Sequence, residues 1–88
     1  MIELGQVVAT PAALEAMEQA GIDPAALLDR HAIGDWGEVS REGWEMNNDC
    51  AEQGTGALLS FYPVGTRWVW VWTEWDRQHT TMLMPDEY

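Results

Sequence analysis

The chain has 88 residues, 47% of them apolar, and fifteen acids face four arginines with no lysine, for a formal net charge of -11. That length makes a single domain, and the apolar share belongs to a folded chain rather than a disordered one. The charge argues against direct binding to nucleic acid or an anionic membrane, which both require Lys or Arg to neutralise phosphates, and favours a basic protein partner.

No apolar run reaches the eighteen or so residues of a membrane span. "MIELGQVVAT" has no basic start, apolar block or small-residue cleavage site, so no signal peptide is expected. The single cysteine, Cys50, permits no intramolecular disulfide and fits a cytoplasmic protein. Acidity is uneven: residues 1–56 hold eleven acids and two arginines, residues 57–88 four acids and two arginines.

In chain order, "QVVAT" reads as a short strand-like entry. "TPAALEAMEQAG" follows as a helix with Thr10 as N-cap, Pro11 at its first position and Gly21 as its stop. Ile22 is placed to fold back on Met17, as in a Schellman ending. "DPAALLDRHAIG" repeats the device with Asp23, Pro24 and Gly34, and "GDWGEV" is a turn-rich link. "SREGWEMNNDCAEQG" is a third helix, capped by Ser40 and closed by Gly54, although Gly43 and the pair Asn47 and Asn48 are poor helix formers. The period then changes. "ALLSFY", "RWVWVW" and "TTMLM" read as strands, joined by "PVGT" and "EWDRQH". The expected fold is α+β: a short N-terminal strand, and three helices packed on one face of a C-terminal three-stranded antiparallel meander.

Four of the six tryptophans lie in "RWVWVWTEW". Strand alternation puts Trp68, Trp70 and Trp72 on one face and Val69 and Val71 on the other. The helices offer mainly alanine inward (Ala13, Ala16, Ala20, Ala25, Ala26, Ala32), so the three indoles are expected to fill the space as the core wall. The valine strip would then face outward, covered by the N-terminal segment or by a second copy in a homodimer. Trp75 sits in a turn between Glu74 and Asp76, and two roles stay open for it: a contact residue or a folded-back lid.

Catalytic signatures are missing. His31 and His79 are far apart, and a lone helical histidine among apolar neighbours reads as a structural group. No zinc spacing, phosphate loop, dinucleotide fingerprint or nucleophile elbow occurs. Nothing local activates Cys50 as a nucleophile. An enzyme, a metal site and a cofactor are therefore not expected.

What stands out is an acidic stripe. Glu42, Glu45, Asp49 and Glu52 are spaced three, four and three residues apart, which stacks them on one side of the third helix. Val39, Met46 and Cys50 gather on a neighbouring side that would dock on the core. The carboxylates rise roughly 4.5 to 6 Å apart along the axis, of the order of phosphate spacing on a nucleic-acid strand, so the row suits a basic groove. The same row also reads as a solvated face.

Two blocks, RH-x-x-GDWG at Arg30 to Gly37 and TE-x-DR-x-x-TT-x-L-x-P-x-x-Y at Thr73 to Tyr88, resemble those of short uncharacterised acidic bacterial proteins of mobile elements, sometimes labelled restriction-modification subunits. No methyltransferase or nuclease motif fits in these residues, so the resemblance implies a mobile-element setting and not a mechanism. Joined to the charge, it leads to an expected function: a non-catalytic inhibitor of a nucleic-acid-binding host defence complex, of the anti-CRISPR or anti-restriction type, acting by charge mimicry. Glu42, Glu45, Asp49, Glu52, Trp75 and Asp76 would form its partner-binding surface. The alternative is a small dimeric adaptor or antitoxin-like regulator that binds another protein through its sheet face.

Overall fold

The structure, a computed structural model, describes residues 1–88. Its elements run β1 (Gln6–Ala9), α1 (Pro11–Gln19), α2 (Pro24–Ala32), α3 (Arg41–Gln53), β2 (Leu58–Val64), β3 (Arg67–Thr73), β4 (His79–Leu83) and a short 3-10 turn at Pro85–Glu87. The helix ends are built as their sequences dictate. Thr10, Asp23 and Ser40 accept the backbone N–H groups of Ala13, Ala25 and Gly43, satisfying donors that the first turn leaves unpaired. After α1, the Ile22 N–H reaches the Met17 carbonyl at 2.9 Å, the long bond of a Schellman ending.

The domain is α+β with a four-stranded mixed sheet in the order β1-β4-β3-β2. The antiparallel meander of β2, β3 and β4 is present, with Leu58 opposite Thr73 and Val71 opposite Met82. Two details differ from expectation. Strand β1 is a full sheet member, parallel to β4 with Val7 opposite Thr80. And α3 does not share a face with the other helices: it flanks the outer edge of β2. There the buried Asn47 carboxamide donates to the Leu59 carbonyl (2.8 Å) and accepts from the Leu59 N–H (3.3 Å).

The tryptophan expectation is overturned. The core holds Val69 and Val71, with Ala13, Ala16, Met17, Leu27, Tyr62, Val64, Met82 and Met84. Trp68, Trp70 and Trp72 lie on the opposite face of the sheet, and none of them is fully buried. The physical reason is helix–sheet distance. Alanines at Ala13 and Ala16 do not leave a void for indoles; they let α1 settle close onto the strands, where Val69 and Val71 fit beneath it. With the valine strip buried, a dimer built on that strip is excluded. Met46, expected to dock α3, is instead mostly exposed, and Asn47 does the docking.

The two edges of the sheet differ as well. Beyond Asn47, the link before α3 covers β2: the Phe61 N–H donates to the Trp36 carbonyl (3.1 Å) and its carbonyl accepts from the Glu38 N–H (2.8 Å). This approach requires Gly37, with φ +72°, because a Cβ there would strike the Phe61 carbonyl. The β2 edge is thus blocked against strand addition. No strand lies outside β1, whose Val7 and Val8 are both exposed.

Candidate functional site

The four predicted carboxylates are all exposed on α3. They lie on the side of the helix away from Asn47, as the 3.6-residue period requires. Arg41 Nε approaches Glu45 Oε1 at 3.4 Å, and both side chains are largely in solvent, so that pair holds Glu45 only loosely. Glu42, Asp49 and Glu52 make no ion pair. Asp49 and Glu52 stand at the negative end of the helix dipole, an unfavourable place for acids, and the last turn of α3 contains no basic residue of its own.

The missing cation comes from Arg77. Its guanidinium donates to the Cys50 carbonyl (Nη2, 3.1 Å), the Gly56 carbonyl (Nη1, 2.6 Å) and the Glu74 and Trp75 carbonyls (both 3.2 Å). The residue has φ 62°, the one non-glycine in left-handed backbone, a conformation that disfavours a side chain and persists because five carbonyls hold the guanidinium. Arg77 therefore straps the Glu74–Gln78 turn to the C-terminal end of α3, and Trp75 and Asp76 ride on that turn. Trp75 is 70% exposed, which removes the lid role. Asp76 accepts the Gln78 N–H at 3.1 Å and is also exposed. The six predicted contact residues thus fall on two elements tied by one arginine, which sequence reasoning missed because its partners lie up to 27 positions away.

Sequence reasoning also missed an aromatic surface. On the sheet face away from α1 and α2, Phe61 stacks on Trp70 with centroids 4.3 Å apart and planes at 19°. Tyr88 returns from the C-terminal turn to meet Trp70 and Trp72 edge-on at 5.3 and 5.9 Å, yet is itself 65% exposed. Trp68 has no aromatic partner and is 42% exposed. The Trp72 indole N–H is shut off from solvent without an acceptor. Two shallow clefts open on this face, about 270 Å³ beside Trp68 and Trp70 and about 280 Å³ beside Trp72 and Met46.

The sequence blocks RH-x-x-GDWG and TE-x-DR-x-x-TT turn out to interlock inside the fold. Thr80 Oγ1 donates to the Leu4 carbonyl (2.7 Å), Thr73 and Thr80 hydroxyls are 2.8 Å apart, Thr73 Oγ1 is 2.8 Å from His31 Nε2, and His31 Nδ1 is 2.6 Å from Ser60 Oγ. A carbonyl only accepts, so the directions propagate. Thr80 must receive from Thr73 and Thr73 from His31 Nε2–H, and in the neutral ring Nδ1 then accepts from the Ser60 hydroxyl. His31 is neutral in this arrangement, and burial, with the nearby Arg77 charge second, lowers its pKa to about 4. The Ser60–His31 contact has the spacing of a nucleophile and its base, but Ser60, His31 and Thr73 are completely buried, so no substrate reaches it. Burial also pushes the Tyr62 phenol up to about 12. Its hydroxyl donates to the Asp35 carbonyl, while the Asp35 carboxylate takes Arg30 Nε at 2.7 Å. That bond raises the Arg30 pKa and lowers that of Asp35. Buried Trp36 sets its ring edge-on to His31 and donates to Asn48 Oδ1 at 2.8 Å. These contacts tie α2 and the link before α3 to β2, β3 and α3.

The largest cleft, about 660 Å³, lies between the N-terminal residues, the end of α2 and α3, and includes Trp36, Glu52 and Arg77. Its indole N–H and guanidinium are already bonded within the protein. No group of three or more His, Cys, Asp or Glu side chains converges where a metal ion could sit, and no helix is long and apolar enough to cross a membrane. Comparison with family models, curated proteins and solved structures finds no match for the chain. The resemblance to short mobile-element proteins therefore rests on its two sequence blocks alone.

Proposed function

We propose that the protein is a non-catalytic inhibitor that occupies a basic, nucleic-acid-binding surface of a host defence complex, of the anti-CRISPR or anti-restriction type, in the cytoplasm of a bacterium. One observation carries this reading: Glu42, Glu45, Asp49 and Glu52 stand exposed along one side of a helix docked on the β2 edge, and only Glu45 is ion-paired, loosely, with an arginine. The Arg77 strap sets Trp75 and Asp76 at the end of that helix, adding an apolar anchor to a row of charges. The net charge of -11 supplies long-range attraction to a basic groove.

The test is inhibition of a nuclease effector, measured against salt, by the wild type and by the double variant Glu45→Lys/Asp49→Lys. Inhibition that weakens steeply with salt and is lost in the double variant, with an unchanged unfolding midpoint, is the expected result. Full inhibition by the double variant would reject the helix as the contact.

A second reading has its own observation. The outer sheet face exposes Trp68 and Tyr88 beside Trp70 and Trp72, an unusual apolar surface for a free monomer. It supports an adaptor or regulator that binds a protein, or its own second copy, through the sheet. Light scattering separates the readings: a tight dimer lost on Trp68→Ala favours the adaptor.

A further inference from the structure

The cleft beside Trp68 combines features that no other part of the surface brings together. Three of the five residues that line it are aromatic, Phe61, Trp68 and Trp70, and the other two are Pro85 and Glu38. At about 270 Å³ it is smaller than the clefts of roughly 300–1,000 Å³ that hold drug-sized molecules. A single side chain is the better match. Trp68 offers an indole that no other ring of the protein stacks upon, whereas Trp70 is already flanked by Phe61 and Tyr88.

Glu38 decides the sign of the occupant. Its backbone is pinned, since its N–H donates to the Phe61 carbonyl at 2.8 Å. Its carboxylate is exposed and makes no hydrogen bond or ion pair within the protein. The nearest competing cation, Arg30, has its guanidinium directed to Asp35 at 2.7 Å. An unpaired carboxylate in a cleft lined by indoles selects a cation. The negative face of an indole attracts one, and the carboxylate can bond to it. A guanidinium matches both at once, because it is planar, stacks on a ring and presents its N–H groups edge-on to a carboxylate; an ammonium does the first less well. A second copy of this chain is a poor occupant. Each copy carries -11, so two copies repel one another.

We propose that the Glu38–Trp68–Trp70 cleft is a binding site for one arginine side chain of a protein partner. The inference does not depend on the acidic helix. It concerns another surface and would hold if α3 were only a solvated face.

The experiment titrates the full chain with acetyl-Gly-Arg-Gly-amide and follows the six indole N–H signals by NMR. The same peptide with citrulline, a neutral isostere, or with lysine is the control. Signals of Trp68 and Trp70 should move, with affinity in the range of about 1–10 mM. Citrulline should bind about tenfold more weakly and lysine several-fold more weakly. Glu38→Gln should reduce binding about tenfold and Trp68→Ala should abolish it, with the Trp36 signal unmoved as proof of an intact fold. Glu45→Lys/Asp49→Lys should leave the titration unchanged, which separates this site from the helix. Equal binding of the citrulline peptide, shifts confined to Trp44 or Trp75, or no shift up to about 10 mM would overturn the proposal. So would Trp68 signals that move with protein concentration alone, since a second copy would then occupy the face.

Discussion

The two faces of one sheet carry opposite solutions to the same problem. On the inner face Val69, Val71, Thr73 and Thr80 are fully buried under α1 and α2, and Thr73, Thr80, His31 and Ser60 belong to one continuous hydrogen-bonded chain. On the outer face larger and more apolar side chains lie partly open, and the indole N–H of Trp72 has no acceptor. Size does not decide burial in this protein; the closeness of the covering element does. The alanines of α1 pack over the valines of β3, and strand alternation puts the β3 indoles on the side that α1 and α2 do not cover. A face so rich in exposed aromatics has more to offer a partner than to the stability of the free domain.

Mutations that remove apolar volume should show this asymmetry most strongly. Met17→Ala on the inner side is expected to cost about 2–5 kcal/mol in urea unfolding, through lost contacts and a cavity. Trp68→Ala, despite deleting a larger side chain, should cost less than Met17→Ala, because Trp68 keeps 42% of its surface in water whereas Met17 keeps none. Comparable losses would mean that the outer face is covered in the free protein.

The inner polar chain adds a pH dependence that the outer face lacks. In the unfolded chain His31 binds a proton near pH 6.5, and in the folded chain only near pH 4. Stability contributed by the neutral imidazole is therefore full above pH 6.5 and is lost as pH falls from 6.5 to 4, by about 3 kcal/mol. Carboxylate protonation overlaps this window, and His31→Gln isolates the histidine. The stability difference between wild type and variant should shrink between pH 7 and pH 4.5. A difference that stays constant would place His31 in water.

Smaller effects sharpen the picture. Arg77→Ala should cost about 2 kcal/mol by releasing the carbonyls at the end of α3. Arg77→Gly should recover about 1 kcal/mol of that, since only glycine adopts φ 62° without strain; equal losses would discount the strained backbone. Trp36→Phe, which abandons the bond to Asn48, should cost about 1–3 kcal/mol more than Trp72→Phe, which abandons none. Smallest of all, Glu45→Lys/Asp49→Lys should move stability by no more than about 0.5 kcal/mol.

How far these features could be read in advance depended on the range of the interaction. Thr10, Asp23, Ser40 and Gly54 mark helix ends by bonds to residues a few positions away, and the acidic row on α3 follows from helical period alone. Asn47 looked like a weak helix former because its two partners are the N–H and carbonyl of a residue 12 positions on. Arg77 looked like an ordinary turn residue because its reach to Cys50 spans 27 positions. The exposure of Glu42, Glu45, Asp49 and Glu52 could be anticipated. The cleft at Glu38, Trp68 and Trp70 could not, because it joins the link before α3 to β3.

The amino-acid sequence by itself determined the order of elements, their caps and turns, the partition of β3 into an indole row and a valine row, and the strongly acidic surface, since all of these follow from local bonds, periodicity and composition. Only the tertiary structure decided which row of β3 meets the helices, that β1 joins β4 in parallel, and that α3 seals the β2 edge. Alternation along a strand says which side chains share a side but not which side is covered; that is settled by how closely an alanine-faced helix can approach, a distance no single segment contains.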